Sequence, residues 1–255
     1  MKYFVPKFKL SADLPPQTEL KDKIGGLPWG LTPEEYPVCS KCGKSQSLII
    51  QLLHHRERLN LGRIGRTLLV FQCTHNFRSC TPWEGGSGSN ACFIVEPENL
   101  TDEITPMPLD LPDLGIEAQI IDWIAYDDGI PPENVTPEGN LKGVSDEDDD
   151  YLDLEDKAYN GTMLGGVPFW VQDPGEAPSP GWNFVAQLDE DYELDEKPSS
   201  TASDILHLMR RNHIRFERKN EKWEFTGPNL GCGLGYVFVR HRHNDKPEGW
   251  FFWQC

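Results

Sequence analysis

Four cysteines carry the clearest chemical signal in the chain: Cys39 and Cys42 in PVCSKCG, Cys73 at the end of RTLLVFQC, and Cys80 in HNFRSCTPW. They form two pairs, C-x-x-C and C-x6-C, about thirty residues apart. A tetrahedral zinc takes four soft thiolates delivered by two short loops. Gly43 follows the first pair directly, and a glycine there lets the chain turn tightly enough for amides to point at the sulfurs. The spacing predicts a structural zinc on Cys39, Cys42, Cys73 and Cys80. The alternatives are reduced thiols packed as small hydrophobes, or a disulfide. A zinc held by four thiolates has no open position and cannot activate water; it closes loops and adds folding free energy.

The other reactive side chains form no comparable set. G-x-S-x-G, H-E-x-x-H and a Walker loop are absent. His54, His55 and His75 are candidate bases; with His75 in place of Cys80 as ligand the metal site would still be closed. Cys92 is the spare thiol of the first half, and a catalytic cysteine needs a base and a lowered pKa. His241 and His243 lie two apart and could join Cys232 or Cys255 in a second metal site, against a reading as exposed strand or turn histidines. The glycines of WEGGSGSNACFIVEP and GPNLGCGLGY precede strands and lack a following Gly-Lys-Ser/Thr, so neither reads as a phosphate cradle. The acidic run at 145–156 lacks the loop spacing of an EF-hand and reads as a solvated linker or helix face. No catalytic residue is assigned. The expected role is that of a non-enzymatic binding protein. A hydrolase or other enzyme of unknown substrate, and a structural module of a larger assembly, are the alternatives.

The elements that must position the cysteines read as strands. The run SLIIQLL before the charged stretch 54–66, RTLLVFQC after it, and a strand around Ala91 to Val95 follow one another. An edge strand is expected at Tyr3 to Leu10 and a further strand at Ile116 to Tyr126. Blocks then recur in order. MLGGVPFW echoes KIGGLPWG, NFVAQLD echoes SLIIQLL, LGYVFVRH is the strand type expected next, and WFFWQC echoes LLVFQC. This predicts an internal duplication. The fold class expected is α+β and β-rich, with mostly antiparallel sheets in two pseudo-repeats and a zinc knuckle in the first. The expected organisation is a first repeat at 1–100, a strand and acidic linker at 101–158, and a second, metal-free repeat at 159–255. A helix and hairpin are expected to be inserted at 200–226, where a basic patch including Arg210, Arg211, Arg215 and Arg218 meets the chain's own acids or a partner.

The chain of 255 residues has a net charge of −17, from 24 Lys and Arg against 41 Asp and Glu. Such a surface repels nucleic acid and anionic membrane and steers a basic protein toward it; solubility alone is the plainer reading. No apolar run is long enough to span a membrane, and MKYFVPKFKL lacks the pattern of a signal peptide. The C-x-x-C spacing and an odd number of cysteines fit the reducing cytoplasm, and a monomer is expected.

KIGGLPW, YPVCSKCGKSQSLIIQLL, RTLLVFQC, Cys80-x-x-Trp83, GSGSNA, MLGGVPFWVQ, NFVAQLDEDY, GYVFV and FFWQC together resemble the bacterial YwqG-like family of unknown function, from about residue 20 to the end. The first half is also similar to the eukaryotic programmed-cell-death-protein-2 group, with its Lys-x-Gly-Gly start, C-x-x-C-G and apolar strand ending in cysteine. The resemblance implies a β-rich duplicated fold and zinc on Cys39, Cys42, Cys73 and Cys80. It implies a binding role: the eukaryotic group escorts a basic ribosomal protein, and some bacterial members lie near toxin genes, as immunity proteins do. The present chain departs from the fuller pattern by lacking cysteines at the matching loop of the second repeat and by its insertion.

Overall fold

A computed structural model describes residues 1–111, 114–142, 158–172, 174–178, 180–194, 216–219, 222–242 and 246–255. The acidic run, the helix expected near 202–213 and most of the basic patch lie outside these residues. Among the described residues thirteen strands follow in chain order: β1 (Lys2–Leu10), β2 (Lys23–Ile24), β3 (Ser47–Leu53), β4 (Thr67–Gln72), β5 (Asn90–Val95), β6 (Ala118–Asp127), β7 (Met163–Gly165), β8 (Asn183–Asp189), β9 (Asp191–Leu194), β10 (Phe216–Lys219), β11 (Lys222–Thr226), β12 (Leu234–Arg240) and β13 (Glu248–Gln254). Ten form one sheet in the order β13-β12-β8-β7-β1-β6-β2-β3-β4-β5, and every neighbouring pair is antiparallel. Its two ends approach each other, with Cys92 of β5 against Gly249 of β13 and the Trp253 amide donating to the Trp83 carbonyl at 3.2 Å. The sheet is thus a nearly closed barrel. The hairpin expected in the insertion forms as β10 and β11, and β11 pairs with β9 in a separate three-stranded sheet. Among the described residues no helix is long and apolar enough to cross a membrane.

The strands lack clean hydrophobic alternation because both faces of the sheet are covered. On β4, Leu68 and Val70 join the interior core, while Leu69 and Phe71 pack outside it with Leu31 and Tyr36. On β12, Val237 and Val239 point to the interior core, while Leu234, Tyr236 and Phe238 pack outside it with Trp170 and Phe252. Continuous apolar runs such as TLLVFQ and GYVFV are what a strand buried on both faces requires.

Three expectations change. The α component of the α+β reading shrinks: among the described residues α-helix is confined to the four residues Phe77–Cys80, α1, with short 3-10 turns elsewhere. The N-terminal strand is not an edge. It lies between β6, which pairs with all of it, and β7, which reaches only Tyr3 and Phe4 and so ends before Pro6, a residue with no N–H to give. The match of WFFWQC with LLVFQC does not carry over either: β12, not β13, takes the place beside β8 that β4 takes beside β3.

Lys23 is fully buried, its Nζ donating to Glu117 Oε2 at 3.2 Å and Gln17 Oε1 at 3.0 Å. Burial lowers its pKa and the Glu117 carboxylate opposes that shift. Beside Gln187, Met163 stands where Lys23 stands beside Gln51. Lys23→Ala strips Glu117 of its base and opens a cavity, so a loss of about 3–4 kcal/mol is expected in urea unfolding. Lys23→Met fills the space but leaves Glu117 equally without its base, so a loss smaller by the cavity's share, about 1–2 kcal/mol, is expected.

Candidate metal centre

The first cysteine pair sits in a tight turn closed by a bridge between Val38 and Ser45. The Cys39 amide donates to the Lys44 carbonyl and the Gly43 amide to the Cys39 carbonyl, each at 2.8 Å. Gly43 has φ +69, the left-handed conformation that glycine adopts without strain. The turn aims the amides of Lys41 and Cys42 at the Cys39 sulfur. Cys73 directly follows β4, and the His75 amide points at its sulfur. Cys80 is the last residue of α1, a helix started by Asn76, whose side chain accepts from the Ser79 amide at 3.1 Å.

These elements bring together the four sulfurs that the spacing singled out. All four ligand atoms lie within 4.8 Å of one another, and the sulfurs of Cys42 and Cys73 are 3.6 Å apart. Zinc–sulfur bonds of about 2.3 Å in a tetrahedron place sulfurs about 3.8 Å apart. Cys39, Cys73 and Cys80 are buried and Cys42 is at the surface. All seven cysteines are free thiols, so the disulfide alternative does not describe the cluster.

The electrostatics of the cluster suit a cation. Burial raises the Cys39 thiol, but bonds from the Ser89 hydroxyl and the amides of Cys42 and Lys41 outweigh it and bring the pKa down to about 6. Burial pushes Cys73 up, and it pushes Cys80 up further, with the neighbouring sulfurs adding to the Cys80 shift. Several thiols crowded into one dry site cannot all ionise alone; a divalent metal offsets the repulsion. The donor set is all sulfur, which selects soft metals such as zinc over magnesium or calcium. The arrangement is therefore compatible with a structural metal and offers no position for a substrate.

A third wall went unseen in the sequence. The glycine-rich loop before β5 folds over the first pair, its Gly88 carbonyl accepting from the Ser40 amide at 2.9 Å and from Gln46 Nε2 at 3.2 Å. Ser89 lies 3.4 Å from the Cys39 sulfur, and its carbonyl accepts from the Cys73 amide at 2.7 Å. A Cβ on Gly88 would stand 2.3 Å from Ser40 Oγ, so glycine is needed for this close approach. The available signal was the run of small residues GGSGS, which reads equally well as an ordinary loop.

The other candidates do not gather. His75 Nε2 is 3.0 Å from the Asp110 carbonyl. His54 and His55 accept through Nδ1 from the amides of Leu61 and Glu57, at 2.9 and 3.2 Å, and so shape their own turn. Burial raises the Cys92 thiol, the opposite of what a nucleophile needs. His241 faces the Asn60 carbonyl at 3.1 Å, the Cys232 amide donates to Glu190, and His243 lies outside the described residues. Among the described residues the four cysteines are the only group placed to hold a metal. No family model, curated protein or solved structure matches this chain.

Proposed function

We propose that the chain is a zinc-stabilised, non-enzymatic binding protein that masks a basic protein partner, as a chaperone or immunity protein would, in the cytoplasm and as a monomer. The observation that carries this reading is a net charge of −17 on a chain in which, among the described residues, the one ligating cluster is closed. An excess of carboxylates favours encounter with a basic surface and disfavours nucleic acid and anionic membrane. The resemblance to the YwqG-like family and the programmed-cell-death-protein-2 group points the same way.

The reading includes a duplicated origin, and matched details support it. Strand order around β1 and β6 is β2-β3-β4-β5 on one side and β7-β8-β12-β13 on the other. Gly25-Gly26 and Gly165-Gly166 all have positive φ. Both β3 and β8 skip one residue in their outer pairing, Ile49 and Val185 respectively. On this alignment Arg240 falls where the first half has Cys73. Its guanidinium lies over Trp182 at 4.4 Å and pairs with Glu248, so stacking and an ion pair hold the loop that the metal holds in the first half.

The test is capture of partners by the tagged full chain from its native host at about 50 mM and about 500 mM salt. A basic protein retained at low salt and released at high salt is the expected result. Bound proteins with no excess of Lys and Arg, or retention insensitive to salt, would count against it.

A further inference from the structure

The seam of the sheet holds a pocket apart from the cysteines. β5 and β13 are the outermost strands of the ten, and among the described residues no backbone hydrogen bond joins one to the other. At one point they touch closely: a Cβ on Gly249 would stand 2.9 Å from the Cys92 carbonyl oxygen and 2.6 Å from its sulfur. Beside this contact lies a pocket of about 520 Å³. Its apolar lining is Cys92 and Phe93 of β5 with Trp182 and Trp250, whose rings sit 5.8 Å apart at 56°. Phe93 and Trp250 are only partly buried by their own neighbours. Trp250 is backed by Gly85 and Gly86, where a Cβ would stand 2.4 and 2.8 Å from atoms of its ring, so this wall is formed before any ligand arrives.

The charged groups of the pocket are mostly cations. Arg240 lies over the Trp182 ring at 4.4 Å and gives both its Nε and its Nη2 to one oxygen of Glu248. Its Nη1 donates to no described residue. Glu248 also lines the pocket, but Arg242 holds its other oxygen at 3.1 Å, so the carboxylate is engaged on both sides. Lys246, at the rim, makes no ion pair with a described residue. Three cations thus meet one carboxylate here, on a chain whose net charge is −17.

We infer that this pocket binds a small apolar carboxylate, a molecule with one anionic end and an aliphatic or aromatic body. The body lies against Phe93 and the two indoles, where removing apolar surface from water supplies most of the affinity. The carboxylate takes Arg240, since a guanidinium bound along Nε and Nη2 still presents a second fork at Nη1 and Nη2. Stacking on Trp182 fixes the plane of that fork, and Lys246 adds a second positive charge at the rim. A single charge suits the site better than a phosphate dianion, because the field of a chain at −17 opposes each further negative charge. An unpaired sheet edge can also accept an extra strand, but Gly249 already fills that place at Cys92, and so the occupant is a small molecule. Binding here does not depend on a basic partner.

The test titrates octanoate and 4-phenylbutanoate, each beside its own neutral amide, onto the full chain by calorimetry at pH 7.5. The same titrations are run on Arg240→Lys, which keeps a cation beside Glu248 but lacks the second fork, and on Lys246→Gln, an exposed change that should leave Tm unmoved. Saturable binding of at least one acid with Kd below about 1 mM is expected, about tenfold tighter than its amide. Arg240→Lys should weaken the acid about tenfold and its amide little, and Lys246→Gln should weaken the acid about two- to threefold. Equal affinity for acid and amide overturns the anionic end of the ligand. An acid whose affinity is unchanged in both variants binds elsewhere and overturns the seat, and if Arg240→Lys does not fold, an unchanged Lys246→Gln does so alone. Failure of both acids to saturate the parent chain overturns the site.

Discussion

Replacing Cys73 with serine is expected to abolish metal binding and lower Tm by about 10 °C, from a loss of about 3–5 kcal/mol. Cys73 is fully buried, and the sulfurs of all four cysteines lie within 4.8 Å of one another. Without it three cysteines remain around a site that can no longer close tetrahedrally. Small zinc modules lose all their structure with their metal. Here the loss is smaller, because Leu69 and Phe71 of β4 belong to a packed cluster that needs no metal. Unfolding should therefore become easier in the segment around Cys39 and Cys80 while the sheet persists. Three measurements check this: metal content of the purified protein, Tm with and without a strong chelator, and Tm of Cys255→Ser as a control. The parent chain should carry about one zinc, and chelator should bring its Tm down to that of Cys73→Ser while leaving the variant itself unmoved. Cys255 is exposed and outside the cluster, so its replacement should change neither quantity. A metal-free parent with an unchanged Tm would overturn the site.

How much of this was legible in the sequence depends on what each feature needs. Cysteine spacing is local, so C-x-x-C-G announced a turn that the structure forms with Gly43 at φ +69. Buried strands announced themselves by composition, and Leu48, Val70 and Phe238 all lie inside packed clusters. What strand composition does not encode is neighbour order. Nothing in KYFVPKFKL states that residues more than a hundred positions away would flank it on both sides, since pairing is set by the whole sheet. Two-residue strands such as Lys23–Ile24 carry too few side chains to show a period, yet they connect β6 to β3. The pocket at the seam was invisible for the same reason, because Phe93, Trp182 and Trp250 become neighbours only when the two ends of the sheet meet.

Gln187→Leu and Gln51→Leu are expected to cost about 4 and about 3 kcal/mol in urea unfolding, more than any exposed substitution should. Both amides are fully buried. Gln187 accepts from the Phe169 amide at 2.7 Å and donates to the carbonyls of Tyr159 and Gly161, each at 2.9 Å. Gln51 accepts from the Trp29 amide and donates to the Lys21 carbonyl, each at 2.8 Å. Each side chain thus ties its own Gly-Gly-x-Pro-aromatic loop to the sheet through backbone groups that have no other reason to lie there. Leucine keeps the volume but leaves those groups buried without partners, at about 1–3 kcal/mol apiece. Three groups against two sets Gln187 above Gln51. The two strands are five strand spacings apart in the sheet, about 24 Å along it, so the double variant should lose the sum of the single effects within about 0.5 kcal/mol. Matched losses at these two positions would give the halves an energetic likeness to set beside their matched sequence. A loss at one position and neutrality at the other would mean that only one loop depends on its glutamine, and the duplicated reading would then lose its best-placed pair.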